Sequence, residues 1–267
     1  MPSEVIRLGL TATGEPVEVD LMTSAAHLVM QGQTRSGKSV ATYNLLAQAA
    51  HMPHVRIVGC DPTTVLLAPV AERGEEHVAL GLEDMAQHLD VLRWVKSESD
   101  RRIATFLARE VDKLDTATAD EPLILLVLEE YPGILEAAAD QDAAEGRKAG
   151  DRLEPAISRL VRSICAQSAK AGVRVLLLAQ RAEASILSGA TRSNFGVRMT
   201  LRVDNADSVR LLHPTATPEE CEEAEQFAPG VAFFEGPGHH RSLIRNAYVP
   251  SYRDYLAHVR ASGSLNA

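Results

Sequence analysis

The sequence predicts an α/β protein built on a mostly parallel, doubly wound sheet, and three observations carry that expectation. Largely apolar segments of strand length recur along the chain, HLVMQ (His27–Gln31), VRIVG (Val55–Gly59), LILLVL (Leu123–Leu128) and VRVLLLA (Val173–Ala179), and Leu123–Leu128 is apolar throughout. Unbroken hydrophobicity in so short a run fits a strand covered on both faces, as in a parallel sheet. Segments with helical spacing alternate with these runs, the order of βα units. At 267 residues and 45% apolar content, the chain is long enough for one large, well-filled core.

The elements follow in order. Val5–Leu10 and Pro16–Val19 flank Thr13-Gly14-Glu15 and predict a short N-terminal β-hairpin. His27–Gln31 runs directly into a glycine-rich loop, and Ser39–Ala50 is the helix after it, with Leu45, Leu46 and Ala49 at helical spacing. Val55–Gly59 is the next strand, ending at Cys60-Asp61-Pro62, and Leu82–Lys113 is a long helical region. Leu123–Leu128 ends in Glu129-Glu130. Ala137–Asp151 lacks large apolar residues and reads as a solvated loop or insertion, with an exposed helix as the alternative. Ala156–Ala171 is a helix, and Val173–Ala179 a strand ending in Gln180-Arg181. Val197–Val203 and Val231–Phe234 are later strands, and Tyr252–Val259 a short helix. The expected organisation is an N-terminal β segment (residues 1–24) packed on one domain (25–260), with a flexible tail at 261–267.

Bulk properties exclude several classes. A net charge of −9 rules out a uniformly basic coat, so any nucleic-acid contact must come from a local patch. Cys60, Cys165 and Cys221 have no metal-ligand spacing and read as reduced thiols, which points to a cytoplasmic protein. No run approaches the roughly 18–20 apolar residues of a membrane helix, and no signal peptide is expected.

Gly32-Gln33-Thr34-Arg35-Ser36-Gly37-Lys38-Ser39 fits G-x-x-x-x-G-K-[ST] without a gap and lies between a strand and a helix, the context that makes this motif a phosphate loop. Glycines let successive N–H groups turn inward toward a phosphate, and the helix that follows directs its positive end at the same anion. Residues from Gly32 to Val40 are therefore the candidate nucleotide-binding set. Lys38 would reach the β- and γ-phosphates of ATP, and Ser39 would place its hydroxyl on Mg2+.

Glu129 and Glu130 follow a buried strand, at the carboxyl end where α/β sites form. Glu129 is the candidate partner of the metal, although the first position of such a pair is usually Asp. Glu130 is the candidate base or water-orienting group. The plainer alternative is that both are surface acids at a strand end. Gln180 either senses the γ-phosphate from its own strand tip or is a solvent-exposed amide.

Several separated stretches resemble the motor domain of the FtsK/SpoIIIE DNA translocases, within the FtsK–HerA group of P-loop ATPases. They are AHLVMQGQTRSGKSV, VRIVGCDPTTVLLAP, LILLVLEE, AKAGVRVLLLAQRAEASIL, SNFGVRMTLRV and PGVAFFEGPG, in the family's order, from roughly Gly14 to Pro250. LLAQRAEASI, Leu212–Pro214 and Pro250–Tyr255 further resemble the smaller proteins of actinobacterial plasmids and mobile elements. The resemblance implies a RecA-like core, a homo-hexameric ring and ATP-driven movement of double-stranded DNA. It also implies an arginine reaching a neighbour's nucleotide. Arg162 is the candidate carried forward, with Arg159, Arg198 and Arg202 as others. The chain departs from the pattern in having Glu129 for Asp. Neither a membrane-spanning region nor a winged-helix module is recognisable, so a loading or anchoring protein partner is expected.

Ala137–Asp151 contains Arg147 and Lys148, with Arg152 just after it, and reads either as a pore-facing loop or as a solvated one, since Asp140, Asp142 and Glu145 keep it from being basic. A type VII-like protein-secretion ATPase is a competing function, against which Asp61-Pro62-Thr63-Thr64 argues. A poorly hydrolysing ATP-binding assembly subunit is another, motivated by Glu129. His239-His240 sits in a Gly/Pro-flanked turn without further metal ligands in sequence.

Overall fold

A computed structural model of the chain describes residues 4–22, 27–181 and 189–263. The strands are β1 (Val5–Thr11), β2 (Pro16–Asp20), β3 (Leu28–Gln31), β4 (Val55–Asp61), β5 (Val78–Leu80), β6 (Leu123–Leu128), β7 (Val173–Ala179), β8 (Val197–Thr200), β9 (Val231–Gly236) and β10 (His239–Asn246). The helices are α1 (Lys38–Ala50), α2 (Ala68–Glu72), α3 (Met85–Phe106), α4 (Tyr131–Ala144), α5 (Leu153–Gln167), α6 (Gly189–Arg192), α7 (Ala206–Leu212), α8 (Pro218–Glu225) and α9 (Tyr252–Ala261).

Among the described residues the strands form one sheet in the order β2-β1-β10-β9-β8-β3-β7-β6-β4-β5. From β8 to β5 every pairing is parallel, and from β9 to β2 every pairing is antiparallel. The mostly parallel sheet expected from the apolar runs is therefore present, with β3 between β7 and β8 at its centre. The unbroken apolarity of β6 has the expected cause. Leu123, Leu125 and Val127 pack with α1 residues Leu45 and Leu46, whereas Ile124, Leu126 and Leu128 pack with Leu89 and Leu92 of α3 and Ile157 of α5.

The N-terminal hairpin forms and joins the sheet through β10. Its irregularity between Arg7 and Gly9 faces the phosphate-loop helix. There Arg7 N–H donates to Gln48 Oε1 at 2.9 Å, and Asn44 and Gln48 side chains donate to Arg7 O. The opposite end of the chain closes on the same helix. Tyr255 of α9 stacks on Tyr43 of α1 at 4.7 Å, and its hydroxyl donates to Leu66 O.

Ala137–Asp151 is a correction. Most of the segment is the second half of α4, followed by a short 3-10 turn at Ala149–Asp151, and the expected solvated loop is not there. Alanine is the strongest helix former, so a run of it needs no large apolar residue to stay helical. Ala138 is fully buried, and Asp142, 5% exposed, turns inward to accept hydrogen bonds from Leu153 N and Glu154 N at the start of α5. Arg147 pairs with Glu145, and Arg152 donates to Arg147 O, so two of the cations assigned to a pore loop are engaged within the chain. The long helix after Leu82 runs only from Met85 to Phe106, opened by Asp84, whose side chain accepts from Ala86 N. β8 ends at Thr200, and β10, which the sequence reading missed, begins with His239-His240 rather than leaving them in a turn. The AEASI stretch of the resemblance and residues 264–267 of the expected tail lie outside the described residues.

Candidate functional site

The phosphate loop leaves the end of β3 and enters α1 at Lys38. Two glycines are sterically compelled. Gly37 has φ 98°, and a Cβ there would lie 2.6 Å from Gly230 N. A Cβ on Gly32 would lie 2.6 Å from Ser36 Oγ and 2.9 Å from Leu201 Cβ. The loop is fixed from one side by three backbone contacts. Gln33 N–H donates to Arg202 O (2.9 Å), Gly230 N–H donates to Ser36 O (2.8 Å), and the Arg202 guanidinium donates to Arg35 O (3.2 Å). Helix α1 opens without a side-chain cap and without an acidic residue in its first turn. Its first amides and its positive end are thus offered to an anion.

The other side is acidic. Glu129 N–H donates to Cys60 O (2.9 Å), which continues the β6–β4 pairing one residue beyond the strand. Burial pushes the Glu129 carboxyl up to about 7; Lys38 opposes the shift, and the neighbouring charges of Glu130 and Asp61 add to it. Glu130 adopts a left-handed backbone, φ 42° and ψ 50°, at the turn into α4. That conformation costs a non-glycine residue on the order of 1–2 kcal/mol. Here it accompanies a side chain directed at the loop: Lys38 Nζ donates to Glu130 Oε1, and Gln180 N–H donates to Oε2 at 3.1 Å. Glu130 thus joins the phosphate loop to the tip of β7.

Asp61, at the tip of β4 and fully buried, organises the adjoining turn. It accepts from Thr63 N (2.9 Å), Thr63 Oγ1 (2.7 Å) and Leu67 N (2.8 Å).

A cavity of about 300 Å³ is lined by Gly32, Gln33, Thr34, Arg35, Gly37, Lys38, Ser39, Val40, Glu129, Glu130 and Gln180. Every expected nucleotide residue except Ser36 lines it. Ser36 lies buried beneath the loop, and its Oγ has no hydrogen-bond partner. A second cavity of about 150 Å³, between α1 and the Asp61 turn, shares Lys38, Ser39 and Glu129 and adds Thr42, Tyr43 and Thr63. The donor set fits the groups the motif implies. The loop residues lining the cavity, Lys38 and the start of α1 suit a polyphosphate. The Ser39 hydroxyl and the Glu129 carboxylate, sharing one cavity, suit a hard, oxygen-seeking cation such as Mg2+.

Arg162 and Arg159 are exposed on α5 and do not line the loop cavity; Arg162 donates to Ser158 Oγ at 2.5 Å. Arg198 donates to Phe195 O and Leu212 O. Arg202 braces its own chain's loop. Sequence reading placed Arg202 among groups reaching a neighbour because a guanidinium near a strand end looks the same in both roles. Gly230 was likewise missed, although the Pro229-Gly230 pair before β9 signalled a tight turn. Cys60, Cys165 and Cys221 are free and buried, as read. Among the described residues no cluster of three His, Cys, Asp or Glu can hold a metal, and no helix is long and apolar enough to cross a membrane.

A mostly parallel sheet with a glycine loop at its central strand, a lysine and a serine entering the next helix, and acids at the tips of β6 and β4 define a RecA-like P-loop nucleotide-binding fold. The FtsK/SpoIIIE family profile matches residues 2–225. The chain belongs to the FtsK/SpoIIIE family. It is 28% identical over 221 residues to the DNA translocase FtsK of Borreliella burgdorferi, covering 77% of this chain and 26% of that protein. It is 26% identical over 226 residues to the DNA translocase SftA of Bacillus subtilis, covering 80% and 22%. The chain thus spans about a quarter of the length of the curated relatives it matches. Among solved structures, the cytoplasmic domain of the Thermomonospora curvata type VII secretion ATPase EccC has a TM-score of 0.73 at 21% identity, covering 98% of this chain and 32% of that one. The pCW3 conjugation coupling protein TcpA, in its monomer form with ATPγS, has a TM-score of 0.72 at 16% identity, covering 96% and 70%. At these identities the two structures share the fold.

Proposed function

We propose that this domain hydrolyses ATP with Mg2+ and, as a homo-hexameric ring, moves double-stranded DNA, in plasmid transfer or mobile-element or phage DNA movement. The observation that carries the reading is the three-point arrangement of Lys38, Glu130 and the Gln180 amide across the mouth of the phosphate loop. Lys38 holds the β- and γ-phosphates, drawn there by the same charge that now attracts Glu130. A phosphate competing for Lys38 frees one oxygen of Glu130 to orient and deprotonate water, while the Gln180 N–H keeps the other in place. Ser39 and Glu129 hold the metal, which supplies charge neutralisation at the phosphates. Burial and the charges of Glu130 and Asp61 oppose ionisation of Glu129, and a dication in the same cavity would favour its ionised form. Gln180, an exposed residue whose N–H meets Glu130, would report the state of the γ-phosphate to the rest of the domain. An arginine of a neighbouring subunit, with Arg162 as candidate, completes the site.

DNA translocation is favoured over protein secretion by the similarity to curated relatives named DNA translocases. Contacts of this domain to DNA would be mostly to phosphates, hence tolerant of sequence and sensitive to salt. The test is steady-state ATPase activity with and without linear duplex DNA, at two salt concentrations. Stimulation by duplex that weakens at higher salt is expected. Turnover that ignores DNA would point to another cargo, and an absence of turnover under both conditions would leave a nucleotide-binding assembly subunit.

A further inference from the structure

Gln31, the residue immediately before the phosphate loop, is fully buried, although it is a polar residue in an apolar strand. Its Nε2 donates to Thr200 Oγ1 (2.9 Å) and to Ser208 O (2.7 Å). Thr200 Oγ1 lies 3.0 Å from His213 Nε2, and His213 Nδ1 lies 2.9 Å from Glu235 Oε2. Thr200 and His213 are fully buried, whereas the Glu235 side chain is 32% exposed and lies 3.7 Å from Arg198. The chain of contacts therefore starts inside, beneath the phosphate loop, and ends at the surface of β9.

Its direction follows from the donors. Both Nε2 hydrogens of Gln31 are spent, one of them on the Thr200 oxygen. A neutral His213 facing a carboxylate must carry its proton on Nδ1 to donate to Glu235. Its bare Nε2 then accepts the Thr200 hydroxyl proton. Gln31 Nε2, the Thr200 hydroxyl and both His213 nitrogens are satisfied in this arrangement without a charge on the imidazole, and burial holds the ring below its ordinary pKa.

We propose that Gln31, Thr200, His213 and Glu235 are a positioning relay that orients the phosphate loop and reports its occupancy at the Arg198–Glu235 pair on the surface. The proximity of Thr200 to the loop's braces is the reason to assign it more than a structural role. Leu201 N–H donates to Gln31 O, and Arg202, two residues beyond Thr200, contacts the loop through both its carbonyl and its guanidinium. Moving Thr200 thus moves the brace. This inference rests on the loop binding nucleotide, and its test separates the two.

The experiment measures the affinity of a fluorescent ATP analogue for wild type, Thr200→Val and Thr200→Ser, with far-UV circular dichroism as the check on folding. Valine keeps the shape but strands Gln31 Nε2 and His213 Nε2. About tenfold weaker binding is expected for Thr200→Val, with recovery to within about twofold for Thr200→Ser. The 15N spectrum of histidine-labelled protein is expected to show His213 as the neutral Nδ1–H tautomer, shifting when the analogue binds. If Thr200→Val does not fold, Glu235→Gln at the exposed end replaces it, with several-fold weaker binding expected. A folded Thr200→Val that binds like wild type, an unaffected Glu235→Gln in its place, or an Nε2–H tautomer at His213 overturns the relay. A wild type that binds no nucleotide fails at the earlier step and takes the nucleotide reading down with the relay.

Discussion

The phosphate loop has two walls of opposite character. On the β7–β6–β4 side the tips of β6 and β4 carry carboxylates, with Glu130 on Lys38, Glu129 in the adjoining cavity and Asp61 tying down its turn. On the β8–β9 side no carboxylate among the described residues bonds to the loop; Arg202 and Gly230 hold its backbone instead. The difference teaches a division of labour. On the function proposed above, one wall would present groups that change protonation or partner during a reaction, and the other would keep still the amides that receive a phosphate.

The most forceful way to break this division is Glu130→Gln. An amide can still accept from the Gln180 N–H but neither pairs ionically with Lys38 nor takes a proton. Turnover should fall by about 100-fold or more while nucleotide binding is retained. Turnover within threefold of wild type would remove Glu130 from the reacting wall.

The acidic wall was legible in the sequence because its chemistry sits where the chain changes character. Six apolar residues ending in Glu129-Glu130, and the five apolar residues Val175–Ala179 ending in Gln180, mark strand tips directly. The glycine loop marks itself by spacing. The bracing wall was illegible for a physical reason. Its contacts run from one backbone to another, or from a guanidinium to a carbonyl, between positions as far apart as Arg35 and Arg202, and such contacts leave no residue signature. Arg202 therefore read as a group for a neighbouring subunit. The segment after Glu130 misled in another way. Its small residues suggested exposure, whereas close packing and the inward cap of Asp142 are what small residues permit.

The comparison also requires that β3, which both walls share, be rigid at its base. There His27 accepts from Val175 N and donates to Cys165 O, and burial lowers its pKa to about 4. The folded value lies below the ordinary 6.5, so the stability carried by the neutral ring is whole above pH 6.5 and is lost as pH falls toward 4. His27→Gln can keep both hydrogen bonds without titrating. Denaturant unfolding between pH 7 and 5 should show wild type losing about 2 kcal/mol more than this variant. Equal losses would mean that another group sets the acid sensitivity.

Arg202→Gln probes the bracing wall itself. Loss of the guanidinium contact to Arg35 O should weaken nucleotide binding by about tenfold while changing turnover at saturation little. A loss confined to turnover would place Arg202 in the reaction and dissolve the contrast. Asp142→Ala, remote from both walls, sets the baseline. Removing its cap on α5 should cost about 1 kcal/mol of stability and leave nucleotide affinity unchanged, as calorimetry and titration would show.

The central claim, that this loop binds and turns over nucleotide, is tested most directly by measuring ATP binding and hydrolysis of wild type beside Lys38→Ala. The account predicts Mg2+-dependent turnover in the wild type and its loss in the variant, with at least about 100-fold weaker binding or slower hydrolysis. A Lys38→Ala variant that binds and hydrolyses ATP like wild type would contradict it.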